Sequence, residues 1–327
     1  LVIQRNLIEN PIGWSNDWDT GHPSGPQAVT LHNSSGHNII RYNEIISTED
    51  HGYNDAIGGG SNYSWEGAPN RDSDIYGNII THVWDDAIES EGANMNVRIW
   101  GNYIDYTFMH IATATTSRGP LYIFRNVFGV SRRTQKDPIG ASMIKVGGDD
   151  GEFRGGRRYV FHNTALQPRG SFRVFSGHQL SDVISRNNLY DCPGVLTGVR
   201  EPVEPLDFQY DMFTGISNGR NWLKNRVGGG KPAFQPSQGL EGFPAVTTTM
   251  IKWGKTEVTH EGETWRQTDK MIHVPNPMID SGEVIPGFND SYAGNAPDIG
   301  AFERGRPPLK FGRRAGRKVI IAPWEVK

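Results

Sequence analysis

The chain has 327 residues, with 33 Lys+Arg against 36 Asp+Glu and a formal net charge of −3, so it lacks the basic surplus of a nucleic-acid-binding protein. Its 40 glycines point to a turn-rich, strand-based chain, its single cysteine (Cys192) excludes an internal disulfide, and the lack of any run of 18 apolar residues gives no reason to expect a membrane span. The opening LVIQRNLIEN reads as the inside of a strand, so a trimmed or partial chain is expected.

In chain order, one motif recurs as short apolar alternation closed by asparagine: LVIQRN, NIIRYN, DIYGN, VRIWGN, LYIFRN, YVFHN and VISRN. The asparagines are Asn6, Asn43, Asn78, Asn102, Asn126, Asn163 and Asn187, spaced by 37, 35, 24, 24, 37 and 24. A second series lies between them: QAVTLHN, NDAIGGG, DDAIESEG, MHIATATT, SMIKVGG and FRVFSGH. Each has a β-branched residue at its centre, namely Val29, Ile57, Ile88, Ile111, Ile144 and Val174. The pattern predicts strands near 28–32, 55–60, 86–90, 109–114, 142–147 and 172–176 on one sheet. A period of about two dozen residues, two short strands per repeat and stackable asparagines predict an all-β, single-stranded right-handed parallel β-helix. Long insertions fall at 7–42, 44–77 and 127–162. Residues 1–192 are read as the rungs. Residues 193–327 are read as an irregular extension with a last β-helix-type coil near 273–304, and 193–280 carry no assignable function.

Side chains alternate across a strand, so with each central Val or Ile inward, its neighbours one before, one after and three after face outward. The outward columns then read Ala28, Ala56, Ala87, His110, Met143, Arg173; Thr30, Gly58, Glu89, Ala112, Lys145, Phe175; and His32, Gly60, Glu91, Ala114, Gly147, Gly177. This is a floor of small residues carrying Glu89, Glu91, His110, Lys145 and Arg173, open enough for an extended polymer. The insertions 44–77 and 127–162 are expected to wall it. Trp14, Trp18, Tyr53, Tyr63 and Trp65 lie in the insertions, and Tyr53 and Trp65 are the rings expected to stack on sugar.

The densest charge is WDDAIESEG at 84–92, with four carboxylates in seven residues: Asp85, Asp86, Glu89 and Glu91. Crowded carboxylates repel, so one is expected to have a raised pKa or the group to hold a cation such as Ca²⁺. Asp85, Glu89 and Glu91 share one parity. Asp86 has the other and reaches the groove only through a bulge, for which WDDA has no glycine. In a regular strand Asp85 and Glu89 are the better acid–base pair, although about 13 Å apart along the backbone.

The repeats resemble those of the carbohydrate-active parallel β-helix proteins, the group of pectate lyases, polygalacturonases and alginate lyases. The segment 281–304 resembles the C-terminal coil of bacterial members. The order Asn54-Asp55, Asp85-Asp86, His110, Lys145 is similar to that of polygalacturonases, which implies Asp55 and Asp86 as acid and base, Asp85 as partner, His110 as tuner and Lys145 as a ligand for a uronate carboxylate. Met109 and Ile111 stand where that family has glycines, and Met143 where it has arginine. The stretch from MIKVGG to SFRVFSG resembles the Lys and Arg strands of alginate-lyase-like β-helices, on Lys145 and Arg173. The resemblance implies a secreted or periplasmic, monomeric enzyme acting on a polysaccharide, with neither nucleic acid nor membrane as partner. Carboxylates outnumber basic groups, which favours hydrolysis, needing no cofactor, over Ca²⁺-assisted β-elimination by a Lys, Arg or His base. A non-catalytic sugar-binding module is the third reading.

Overall fold

The computed structural model describes residues 1–59, 62–129, 131–132, 142–149, 151–165, 172–174, 180–190, 206–213, 278–307 and 309–315, with strand backbone also at 196–197, 256–260 and 263–267. One sheet takes Val2–Gln4, Ile39–Arg41, Asp74–Tyr76, Val97–Trp100, Leu121–Phe124, Arg158–Phe161, Val183–Arg186 and Leu206–Gln209 in succession. A second sheet collects the strands that follow each asparagine corner and those of the intervening series. Neighbours in both sheets pair in parallel, and a chain that returns to the same sheet in this way is the right-handed parallel β-helix expected from the repeat.

The inward columns form one core. Ile40, Ile75, Ile99, Ile123 and Val160 come from the first sheet, and Val29, Ile57, Ile88, Ile111 and Ile144 from the second. Successive central residues are register partners from Val29 to Ile57, Ile88, Ile111 and Ile144. The last step departs from the expectation. Ile144 pairs with Phe172, so Lys145 is opposite Arg173 and Val174 is opposite Val146. The core slot goes to the larger ring: Phe172 is fully buried and packs edge-on against Tyr190 and Phe208, at 5.8 and 5.6 Å. Gly60, Phe175 and Gly177 of the expected columns lie outside the described residues.

The asparagines form a ladder inside the corner. Asn43 Nδ2 donates to Asn78 Oδ1, Asn78 to Asn102, Asn102 to Asn126 and Asn126 to Asn163, each at 3.0 Å. Before each rung's ladder asparagine is a residue with positive φ, such as Arg5 (59°), Tyr42 (54°), Gly77 (66°) and His162 (51°). Asn187 was expected in the ladder; it occupies this left-handed seat instead (φ 58°), which asparagine tolerates. Asn188 takes the rung, accepting from Asn163 Nδ2 at 2.9 Å and donating to Asp211 Oδ1 at 2.8 Å.

The coil therefore runs past 192: Leu206–Gln209 and Met212–Phe213 add a further rung. Of the final coil expected near 273–304, residues 273–277 lie outside the described residues. Residues 278–307 contain turns and no strand, held by side chains that cap backbone N–H groups, as where Asp298 Oδ1 accepts from Asp280 N at 2.8 Å. With 309–315 they form a strap running back along the rungs. Gly300 N meets Asn187 O, Gly312 N meets Gly77 O, and Arg5 Nη1 reaches Ala315 O. Thr256–His260 and Glu263–Gln267 form a separate antiparallel hairpin.

Candidate active site

The site is built on the strand Ile79–Glu89, and its key feature is a bulge. Val83 is opposite Thr107, but Asp86 is opposite Met109, so one extra residue is inserted between Val83 and Asp86. The parity argument against Asp86 fails one step further on: Asp86 to Ile88 pair regularly with Met109 to Ile111, but Ala87 and Ile88, adjacent in the chain, both enter the core, so alternation breaks between them. Asp55, Asp85 and Asp86 converge: each offers one oxygen, all within 4.8 Å of one another, and all three residues are buried. Asp55 is fixed from both sides, with Oδ1 accepting the Asp86 N–H at 3.1 Å and Oδ2 accepting Gln27 Nε2 at 2.8 Å and the Asn54 amide. Asp85 Oδ2 lies 3.7 Å from His22 Nε2.

Lys145 joins this cluster from the next-but-one rung. Its Nζ donates to Asp86 Oδ2 at 2.6 Å and lies 3.1 Å from Glu91 Oε1, with Lys145 7 % and Glu91 0 % exposed. Burial, and then the charges of Asp86 and Glu89, push the Asp55 carboxyl up to about 7. Burial with Asp86 pushes Asp85 up to about 9, and burial pushes Glu91 up to about 8 although Lys145 opposes it. For Lys145, burial alone would lower the pKa, but Asp86, Glu91 and Asp85 overcome it and hold the ammonium well above its ordinary range. Asp86 Oδ1 and Glu91 Oε2 are buried without a hydrogen-bond partner among the described residues.

The other expected residues divide. Glu89 is half-buried at the cluster's edge, its Oε2 accepting from Gly59 N at 3.2 Å, and a Cβ on Gly58 would come within 2.9 Å of that oxygen. Arg173 is half-buried, opposite Lys145 in register. Trp65 is 49 % exposed on the 44–77 insertion. His110 is not a groove residue. It is fully buried, with Nδ1 bonded to Thr107 Oγ1 at 2.6 Å, Nε2 3.2 Å from Gly129 O and its ring stacked on Phe128. Burial lowers its pKa to about 4. The expectation failed because the column one before the centre is buried: Ala56, Ala87 and Met143 belong to the core cluster too. Tyr53 is also in the core, 2 % exposed, with burial raising its pKa to about 12, so it offers sugar no face. Sequence reasoning missed Gln27 and His22. Both come from the 7–42 insertion; Gln27 opens the QAVTLHN segment just outside its expected strand at 28–32, and no strand periodicity reaches His22.

The expected cation ligands were Asp85, Asp86, Glu89 and Glu91. The three-carboxylate group is instead Asp55, Asp85 and Asp86, while Glu91 is engaged by Lys145. All-oxygen donors of high charge, one of them an orphaned buried oxygen, fit a hard divalent cation such as Ca²⁺.

No family model matches the chain, and no curated protein does. Among solved structures the chain is similar to one titled crystal structure of pectate lyase Pel9A, with a TM-score of 0.44 and 13% identity over 93% of this chain. The chain covers 65% of the length of that one.

Proposed function

We propose that this protein cleaves a uronate-containing polysaccharide by β-elimination, with Lys145 as the base and Asp55, Asp85 and Asp86 as the seat of a divalent cation. The observation that carries this reading is the position of Lys145 Nζ, 2.6 Å from Asp86 Oδ2, at the edge of a buried carboxylate triad that has more oxygens than internal partners. A bound cation would neutralise the uronate carboxylate and so acidify the hydrogen on the carbon beside it. With Asp86 and Asp85 engaged as ligands, Lys145 loses two of the three charges that hold its pKa high and keeps Glu91, so its burial favours the neutral amine more than in the metal-free site. That amine takes the C5 proton. The electron pair forms the C4–C5 double bond, the C4–O4 bond breaks, and O4 leaves with a proton from solvent.

Hydrolysis is the second reading, favoured by Asp85, whose carboxyl is pushed up to about 9 and so remains an acid at neutral pH. It ranks below elimination because a lysine bonded to Asp86 at the edge of the triad has no necessary role in an acid–base carboxylate pair. Digestion of a panel of uronate and neutral glycans with calcium, followed by unsaturated-uronate absorbance and by reducing ends, tests this. Absorbance with reducing ends is expected. Reducing ends without absorbance establish hydrolysis, and neither signal across the panel leaves a binding module.

A further inference from the structure

We propose that the cleft between His32–Ser34 and Trp65–Gly67 is a subsite for one more uronosyl residue of the same polymer, an inference that rests on the reading of the Lys145 site. The cleft has a volume of about 240 Å³ and is lined by His32, Asn33, Ser34, Trp65, Glu66 and Asn70. It adjoins the carboxylate cluster at Gly59, which lines the cleft and donates its N–H to Glu89 Oε2 at 3.2 Å. Its far wall is preformed. Ser117 Oγ donates to Ser64 O at 2.7 Å, Ala93 N donates to Glu66 O at 2.7 Å, and Gly67 bridges to Gly92.

On this pinned wall Trp65 is 49 % exposed. Phe153 braces it edge-on at 5.6 Å, and the Arg118 guanidinium stands 5.9 Å from its ring centroid. A rigid indole left in water has an apolar face to offer the C–H face of a pyranose, and it loses little entropy on doing so. Arg118 is exposed and supplies the planar fork that suits a carboxylate. Glu66 repels a carboxylate placed on its own side, so the sugar is oriented with its charge toward Arg118.

The test is native affinity electrophoresis with calcium in gels containing polygalacturonate, alginate or dextran, run so that the matrix stays intact on a Lys145→Met background confirmed folded at the gel pH by its melting curve, with Lys145→Arg as the background if it is not. Retardation in a polyuronate gel and none in dextran is expected. Trp65→Ala should weaken it about tenfold and Arg118→Gln about threefold, with melting temperatures unchanged because both side chains are exposed. Unchanged retardation in both variants, equal retardation by dextran, or no retardation by either polyuronate overturns the subsite. The elimination reading fails separately, if the wild-type protein yields no unsaturated product from a polymer that retards it.

Discussion

Replacing Lys145 by methionine separates its two roles. Methionine keeps most of the stem and removes the ammonium. Asp86 and Glu91, 2 % and 0 % exposed, then face each other without a counter-charge. Breaking a buried pair by removing one partner costs about 3–5 kcal/mol. Protonation of Glu91 relieves it, by up to about 1.4 kcal/mol per pH unit, and Glu91 is already pushed up to about 8. The destabilisation should therefore be about 3–5 kcal/mol at pH 8.5 and shrink to about 1 kcal/mol at pH 5, read from urea unfolding followed by tryptophan fluorescence. Formation of unsaturated product should fall by about 10²–10⁴ at every pH, as for loss of a general base. A cost below about 1 kcal/mol at pH 8.5, or one independent of pH, would show that the ammonium is not buried between these carboxylates. Product formation within tenfold of wild type would remove Lys145 as the base.

Three further outcomes follow from the same geometry. Asp85 and Glu91 hold protons in the fold up to about 9 and 8, whereas the unfolded chain has released them by about pH 5, so metal-free protein should lose roughly 1–3 kcal/mol between pH 7 and 9; calcium should abolish that loss, and Asp85→Asn should blunt the calcium effect, all read from melting curves in calcium and in chelator. Asn126→Ala removes donors to Ile99 O at 2.9 Å and Asn163 Oδ1 at 3.0 Å and the acceptor for Asn102, and should cost about 3–5 kcal/mol in chemical unfolding while leaving the activity of the folded fraction unchanged. His110→Ala should lower stability by about 2–4 kcal/mol through its lost bonds and its lost stacking on Phe128, without moving the pH profile of product formation; a shifted profile would return His110 to the chemistry.

The fold was legible because it repeats. The interval between asparagines and the single β-branched centre per rung survive long insertions, since those insertions leave the coil between strands. The site was legible in part. Asp55, Asp85, Asp86 and Lys145 are brought together from positions up to 90 residues apart, from Asp55 to Lys145, because the rungs stack them in register. What the sequence concealed was local geometry. No glycine marks the step at which the adjacent Ala87 and Ile88 both enter the core, so alternation put Asp86 on the wrong side. His110 shares its rung position with residues whose column turns into the core. The two adjacent asparagines of VISRNN both suit a ladder and a left-handed turn, and only the neighbouring rungs decide between them.

The strap of residues 278–315 changes what kind of object this coil is. In a plain solenoid each rung touches only the rungs beside it, so either end can peel away without the middle taking notice. Here one length of chain is stitched to Asn187 and Thr164 near one end, to Gly77 and Glu44 further along, and to Arg5 at the other. Phe302 and Phe311 close over Ile79, Tyr103 and Val127, so the stitching is apolar as well as polar. The rungs thereby resemble pages bound along a spine rather than cards in a loose stack. Opening the first page strains the binding of the others, and the carboxylate cluster, set among the middle pages, is shielded from fraying at either cover.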